Sequence, residues 1–137
     1  MTDPKSTVLP FYSEALTVRD GGSPATVLDR LLADDFESKN GQETKSKAVL
    51  AKQLEAFWKI IPDLRWEPKD VLVEGTKVVV RSVATGSPSG PFMGLSLDGS
   101  RSFCIDTIDI HEVRDGKIAR VYHLEDWATA LKQLAPR

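Results

Sequence analysis

The separation of helical and strand-like segments along this chain limits the folds that it can adopt. Residues 77–86 contain four valines, which are strong strand formers, and residues 101–113 and 117–125 are predicted as the next two strands. Arg114-Asp115-Gly116 predicts a tight hairpin turn between those two strands. Pro68 interrupts an earlier strand-like segment and indicates an edge position or a bulge there. Helices followed by strands predict an α+β fold with an antiparallel sheet.

Three helices are predicted before the strands and one after them. Asp3 is a suitable N-cap for the first helix, and Pro10 predicts that this helix is kinked or begins there. Ser23 and Ser46 precede two segments in which apolar residues recur every three or four positions, as one helix face requires. Asp126 is predicted to cap the final helix, because its carboxylate can accept backbone N–H groups.

The remaining segments are polar or rich in glycine and proline. Residues 34–41 are polar apart from Phe36, and residues 87–99 are predicted as a loop that carries Phe92 and Met93. No internal repeat or linker is recognisable, so we predict a single domain that spans residues 1–137. A long, curved antiparallel sheet wrapped around the N-terminal helices predicts a cone with an apolar interior.

Composition and charge argue against several classes of protein. The chain has 137 residues and a net charge of −2, with no basic stripe of the kind that nucleic-acid binding needs. No stretch approaches the ~20 apolar residues of a membrane span, and the N-terminus lacks the features of a signal peptide. The single cysteine, Cys104, cannot form an internal disulfide, and we therefore expect a reduced, cytoplasmic location. The chain has only two histidines and no phosphate-binding glycine motif, so we expect no metal site and no cofactor.

Four stretches of the chain, in their order and spacing, resemble one known family. They are Leu-Leu-Ala-Asp-Asp-Phe at residues 31–36, the Thr-Gly…Gly-Pro-Phe-Met-Gly loop at 85–94, Asp-Gly-Lys-Ile at 115–118, and Asp-Trp at 126–127 followed by Leu-Lys-Gln-Leu at 131–134. They resemble the end of the second helix, a loop, the last hairpin and the C-terminal helix of SnoaL-like polyketide cyclases. This family belongs to the nuclear-transport-factor-two-like superfamily, and the resemblance covers most of the chain from about Val8 onward.

The resemblance implies a cone-shaped α+β barrel, a homodimer and an internal pocket for a small apolar molecule. The best-known members close a polyketide ring by intramolecular aldol condensation, without a metal or a cofactor. The wider family also contains isomerases, hydrolases, dehydratases and proteins without a known activity. The implied function is therefore acid/base cyclisation or isomerisation of an apolar carbonyl compound, since a fold alone does not fix a reaction.

Asp109 and His123 are the candidate catalytic residues. In cyclases of the family an aspartate on the last strand is the acid/base and a histidine stands beside it on the preceding strand. Alignment on the 115–118 hairpin gives His123 and Asp109 at these positions, with the two residue types exchanged. Both lie seven residues from Gly116, so a hairpin centred there brings them opposite each other on one face. His123 is then the predicted general acid/base, with Asp109 orienting its imidazole.

Several alternatives remain open at this point. Asp109 and His123 could only satisfy each other's hydrogen bonds in a buried site. The protein could be a non-catalytic, dimeric module that binds a small ligand, or an interaction module that uses the open face of its sheet. The candidates for substrate contact, each of which could equally be ordinary core, are Tyr12, Phe36, Phe57, Trp58, Phe92 and Met93.

Overall fold

A six-stranded sheet organises the protein, which we describe from a computed structural model covering residues 3–136. Its strands are β1 (Leu32–Asn40), β2 (Glu43–Ser46), β3 (Arg65–Glu74), β4 (Lys77–Gly86), β7 (Phe103–Arg114) and β8 (Lys117–Glu125), and a separate hairpin comprises β5 (Ser89–Phe92) and β6 (Leu95–Asp98). The helices are α1 (Pro4–Pro10), α2 (Pro24–Leu31), α3 (Lys47–Ile60) and α4 (Trp127–Leu134), and a π-helical turn (Phe11–Ala15) continues α1.

The strand order in the sheet is β2-β1-β8-β7-β4-β3, and all neighbours are antiparallel except the parallel pair β1 and β8. The predicted α+β fold, with a curved sheet around N-terminal helices, is confirmed. The sheet is an open cone and not a closed barrel, because its edge strands β2 and β3 do not pair with each other. Within residues 3–136, no helix has both the length and the apolar character needed to cross a membrane.

The inner face of the sheet carries the core. Alternate residues of β7 from Phe103 to His111 are buried, while the residues between them are exposed, as the period of two in a strand requires. The buried positions of β4, which include Val78 and Val80, alternate in the same way. The helices pack against this face, and its apolar side chains are the largest part of the core.

The predicted strand and helix signals are confirmed at most positions. Ser23, Ser46 and Asp126 each accept a backbone N–H as N-caps. Pro68 lies on edge strand β3 beside a shift in register, as its missing N–H requires. Pro10 does not start the first helix but is the last residue of α1, and the chain continues directly into the π-helical turn, which is closed by a hydrogen bond of 3.0 Å from Leu16 N–H to the Phe11 carbonyl.

Two segments differ from the prediction. The polar residues 34–41 are mostly strand β1, since Phe36 and Ser38 point inward while the other polar side chains face outward. The predicted loop at 87–99 contains the hairpin of β5 and β6, whose two-residue turn is Met93-Gly94. Both turn residues have positive φ, at 52° and 80°, as a tight hairpin of this kind demands.

A bulge in the last hairpin sets which residues of β7 and β8 face each other. The turn at Asp115-Gly116 pairs Val113 with Ile118, a register that would place Asp109 opposite Tyr122 if it continued. The register shifts by one residue beyond Val113, and Asp109 pairs with His123 instead. Because a slip of one residue exchanges the faces of a strand, this bulge brings both side chains to the inner face.

Candidate acid/base site

A cavity lies between α3 and the inner face of β7 and β8. Its cavity volume is about 70 Å³, which is below the ~300–1,000 Å³ typical of small-molecule sites. Its apolar lining is Phe11, Leu16, Leu50, Leu54, Phe57, Trp66, Val121 and Trp127, and its polar lining is Ser38, Gln53, Asp109, His123 and Glu125. A mostly apolar wall with a few converging polar groups is typical of a small-molecule site.

Asp109 is the most deeply placed acid in this cavity, with only 4% of its surface exposed. Burial raises the pKa of its carboxyl to about 7, against the hydrogen bond from Tyr12 and the charge of His123, which lower it. The charge of Glu125 adds to the increase. A carboxyl group that titrates near neutral pH can both accept and release a proton under physiological conditions.

Tyr12 and His111 lie behind Asp109, away from the cavity. The Tyr12 hydroxyl donates to Asp109 Oδ2 at 2.6 Å and lies 2.6 Å from His111 Nε2. Tyr12 and His111 are both fully buried. Burial lowers the pKa of His111 to about 3, and burial together with the Asp109 charge raises the pKa of Tyr12 well above its ordinary value. Both side chains are therefore neutral near pH 7.

His123 is held by a carboxylate, but that carboxylate is Glu125. His123 Nδ1 lies 2.7 Å from Glu125 Oε2, and Trp127 Nε1 donates to Glu125 Oε1 at 3.2 Å. Burial lowers the pKa of His123, but the hydrogen bond to Glu125 and the charges of Glu125 and Asp109 outweigh burial, so the net pKa is raised. This shift favours the imidazolium form more than in a free histidine, and Nε2 remains available to a ligand.

The predicted pairing of Asp109 with His123 is confirmed at the level of strand register. Their hydrogen bonds go to different partners, however: Asp109 to Tyr12, and His123 to Glu125. Each of the two candidates thus has its own supporting group, and both line one cavity. This arrangement provides a proton acceptor and a proton donor on adjacent strands.

Among the six predicted substrate contacts, Phe57 lies on the cavity wall. Phe36 is core, and Trp58 donates its Nε1–H to the Ala15 carbonyl at 2.9 Å. Tyr12 contacts Asp109 from behind and does not line the cavity.

The other two predicted contacts lie on the β5–β6 hairpin. Phe92 is buried and lies at a ring distance of 5.9 Å from both Phe57 and Trp127, so it supports the wall as core. Met93, in the turn, is 40% exposed and is not a lining residue. The sequence showed only that Phe92 and Met93 are an apolar pair in a glycine-rich segment. It did not indicate that this segment forms a hairpin in which Phe92 faces inward and Met93 faces outward.

Three important residues were not identified from the sequence. His111 is fully buried because it shares the inner face of β7 with Asp109. Glu125 lies two residues after His123 on the same face, a spacing that was visible in the sequence. Trp127 begins α4 and is separated from the end of this strand by one residue, the N-cap Asp126.

Comparison with known proteins agrees with this architecture. The sequence model of the family described as SnoaL-like polyketide cyclase matches residues 6–134. No curated protein sequence matches the chain.

Several solved structures share the fold. IdmH from Streptomyces antibioticus, a proposed polyketide cyclase, is 24% identical, with a TM-score of 0.81 over 96% of this chain and 98% of IdmH. A proposed SnoaL-like polyketide cyclase from Jannaschia sp. CCS1 is 22% identical, with a TM-score of 0.85 over 98% of this chain and 93% of the other. AclR from Streptomyces galilaeus, a proposed hydroxylase, is 20% identical, with a TM-score of 0.82 over 98% and 87%. Since the family match spans nearly the whole sequence, the chain belongs to the SnoaL-like polyketide cyclase family.

Proposed function

We propose that this protein is a small-molecule enzyme that transfers protons at an apolar carbonyl compound, in an aldol-type cyclisation or an isomerisation. The observation that carries the proposal is the pairing of Asp109 with His123 at one cavity, where the carboxyl has a pKa of about 7. An acid and a base with displaced pKa values in an apolar cavity are typical of proton-transfer enzymes.

The charge states support a division of roles between the two residues. Asp109 in its carboxylate form removes a proton from the carbon next to a carbonyl group, and the electron pair passes to the carbonyl oxygen as an enolate. His123, protonated and held by Glu125, donates a hydrogen bond or its Nε2 proton to the oxygen that becomes negative. This assignment makes Asp109 the base, whereas the sequence suggested His123 for acid/base work and Asp109 as its support.

The cavity wall favours an apolar substrate. Leu50, Leu54 and Phe57 from α3 face Val121 from β8 across the space, and Trp127 lies beside Glu125. Ring-forming reactions need the chain to fold back on itself, and apolar walls with aromatic faces hold such a compact conformation. Gln53 and Ser38 are the neutral polar groups available to orient a second oxygen.

Substitution of His123 separates an enzyme from a module that only binds a ligand. We expect His123→Ala to slow exchange of protons next to the carbonyl by roughly a hundred- to a thousandfold, because one donor to the developing oxyanion is lost. The exchange is measured by NMR in D₂O with a panel of apolar ketones and 1,3-dicarbonyl compounds, and affinity is measured by calorimetry. Affinity for the same compounds should change much less than the exchange rate.

The rival function predicts a different pattern. A binding module would show no protein-dependent exchange for any compound, and His123→Ala would alter affinity alone. Wild-type protein that binds compounds of the panel without exchanging their protons contradicts the enzyme proposal.

We also propose a homodimer that forms through the outer face of the sheet. Leu124 on β8 pairs with Ile108 on β7, and both are at least half exposed, at 66% and 50%. Ile110 continues this apolar surface along β7, and Leu72 lies on it at β3. A contiguous apolar patch on a sheet face usually marks an interface.

Charge on this face should therefore separate the two copies. We expect Ile108→Asp/Leu124→Asp to convert a dimer to a monomer, as measured by sedimentation equilibrium or light scattering over a range of concentrations. Val49→Asp, at a residue that is 49% exposed on α3, is the matched control and should leave the dimer intact. Wild-type protein that is monomeric at tens of micromolar excludes the dimer proposal.

A further inference from the structure

We propose that His111 and Tyr12 form a buried chain of hydrogen-bond donors that positions Asp109, with His111 Nε2–H donating to the Tyr12 hydroxyl and that hydroxyl donating to Asp109 Oδ2. In this arrangement Asp109 Oδ1 is the atom that receives the substrate's proton. The role of Oδ1 rests on the proposed function, whereas the donor chain itself does not depend on it.

The direction of the chain follows from the number of protons available. The Tyr12 hydroxyl has one proton and two neighbours at 2.6 Å, Asp109 Oδ2 and His111 Nε2. Tyr12 can donate to only one of them, so the other must donate to Tyr12.

The buried ring of His111 decides between the two directions. His111 Nδ1 is buried and has no hydrogen-bond partner within residues 3–136. If Tyr12 donated to Nε2, the neutral ring would carry its proton on Nδ1, as a buried N–H without an acceptor. A buried donor without an acceptor is rarer in proteins than an acceptor left free. The ring therefore carries its proton on Nε2, and the Tyr12 proton points to Asp109.

The arrangement distinguishes the two oxygens of Asp109. Oδ2 accepts from Tyr12, and no donor among the described residues reaches Oδ1, although Asp109 lines the cavity. When the substrate carbon loses its proton, the bonding electron pair remains as the enolate and Oδ1 gains the proton. Oδ2 keeps its hydrogen bond throughout, so the carboxyl group does not rotate during the transfer.

The titratable groups around Asp109 bear on its pH dependence. Tyr12 faces it from the π-helical turn, His111 lies on its own strand, and His123 and Glu125 face it from β8. On β4, the paired residue is a valine. Tyr12 is thus the neutral donor that opposes the effect of burial on the Asp109 pKa.

The test follows the carboxyl carbon of Asp109 by ¹³C NMR as the pH is changed. Loss of a hydrogen bond to a charged group should raise the Asp109 midpoint in Tyr12→Phe by about one to two pH units. Tyr122→Phe, which removes the same hydroxyl from the outer face, is the matched control and should leave the midpoint unchanged. An unchanged or lower midpoint in Tyr12→Phe overturns the proposal.

The histidine end of the chain is tested separately, in protein with the natural Tyr12. Long-range ¹H–¹⁵N spectra of the wild type should show a proton on His111 Nε2, and a proton on Nδ1 overturns the proposal. His111→Gln, which retains a donor, should keep the wild-type Asp109 midpoint, while His111→Leu should raise it. Equal midpoints in these two variants also overturn the proposal. Protein that shows the predicted shifts without any proton exchange keeps the donor chain and loses the proposed enzymatic function.

Discussion

Replacement of Asp109 by asparagine is expected to slow substrate proton exchange by roughly a hundred- to ten-thousandfold, the usual contribution of a positioned acid/base. Asparagine has nearly the same shape and can still accept the Tyr12 hydrogen bond, so the cavity should be preserved. It cannot accept the substrate's proton. The rate is measured by deuterium incorporation at the carbon next to the carbonyl group, with ligand affinity measured in parallel.

The control for this loss lies three residues away on the same strand. Asp106 faces outward, with its side chain 72% exposed and an Arg81 nitrogen 3.4 Å from its carboxylate. Asp106→Asn removes one negative charge without touching the cavity and should keep the wild-type rate. Equal rates in Asp109→Asn and the wild type would contradict the assignment of Asp109 as the base.

The same Asp109→Asn substitution is expected to stabilise the folded protein at pH 8–9, by up to about 4 kcal/mol in the free energy of unfolding. At this pH the wild type must keep a carboxylate that is only 4% exposed. The neutral amide does not have this desolvation cost. Chemical denaturation of both proteins across a range of pH measures the difference.

The sign of the pH dependence follows from the two states of Asp109. The unfolded chain releases this proton near pH 4, whereas the folded protein keeps it up to about pH 7. Between these values unfolding releases a proton, so rising pH favours unfolding of the wild type. The advantage of Asp109→Asn should therefore be absent below about pH 4, grow up to about pH 7 and remain constant above it.

Titration of His111 changes the stability of the folded protein with pH in the opposite direction. It therefore partly hides the effect of Asp109 in the wild type. Its folded pKa of about 3 lies below its ordinary 6.5, so between these values unfolding takes up a proton. Stability from His111 therefore rises with pH in the window where stability from Asp109 falls. In Asp109→Asn the effect of His111 should remain alone, as an increase in the free energy of unfolding of about 1.4 kcal/mol per pH unit. An asparagine variant no more stable than the wild type at pH 9 is incompatible with a carboxyl group buried in this way.

The main strands and the helix caps were predictable because their signals are local. The valines of residues 77–86 and the turn at Asp115-Gly116 act within a few positions of the chain. Strand β1 was not predicted at residues 34–41 because its polar side chains give no local strand signal. These side chains face outward, and the strand is held by its pairing with β8, which is distant in sequence. Tertiary pairing outweighs weak strand preference there.

The candidate site was predictable only in part, for the same reason. The pairing of Asp109 with His123 was found by centring the hairpin on Gly116, and it depends on a bulge that no local pattern indicated. The supporting hydrogen bond of Asp109 comes from Tyr12, 97 residues earlier in the chain. A contact at that distance requires the whole cone to form, so residue spacing alone could not reveal it.

The most direct measurement of the central claim is the pH titration of the Asp109 carboxyl carbon in the wild-type protein by ¹³C NMR. The structure predicts a midpoint at about pH 7, because burial outweighs the hydrogen bond from Tyr12 and the charge of His123. That result would establish an acid/base group ready to exchange protons at neutral pH. A midpoint near the ordinary value for aspartate, about 4, would mean a permanently ionised carboxylate and would contradict this account of the site.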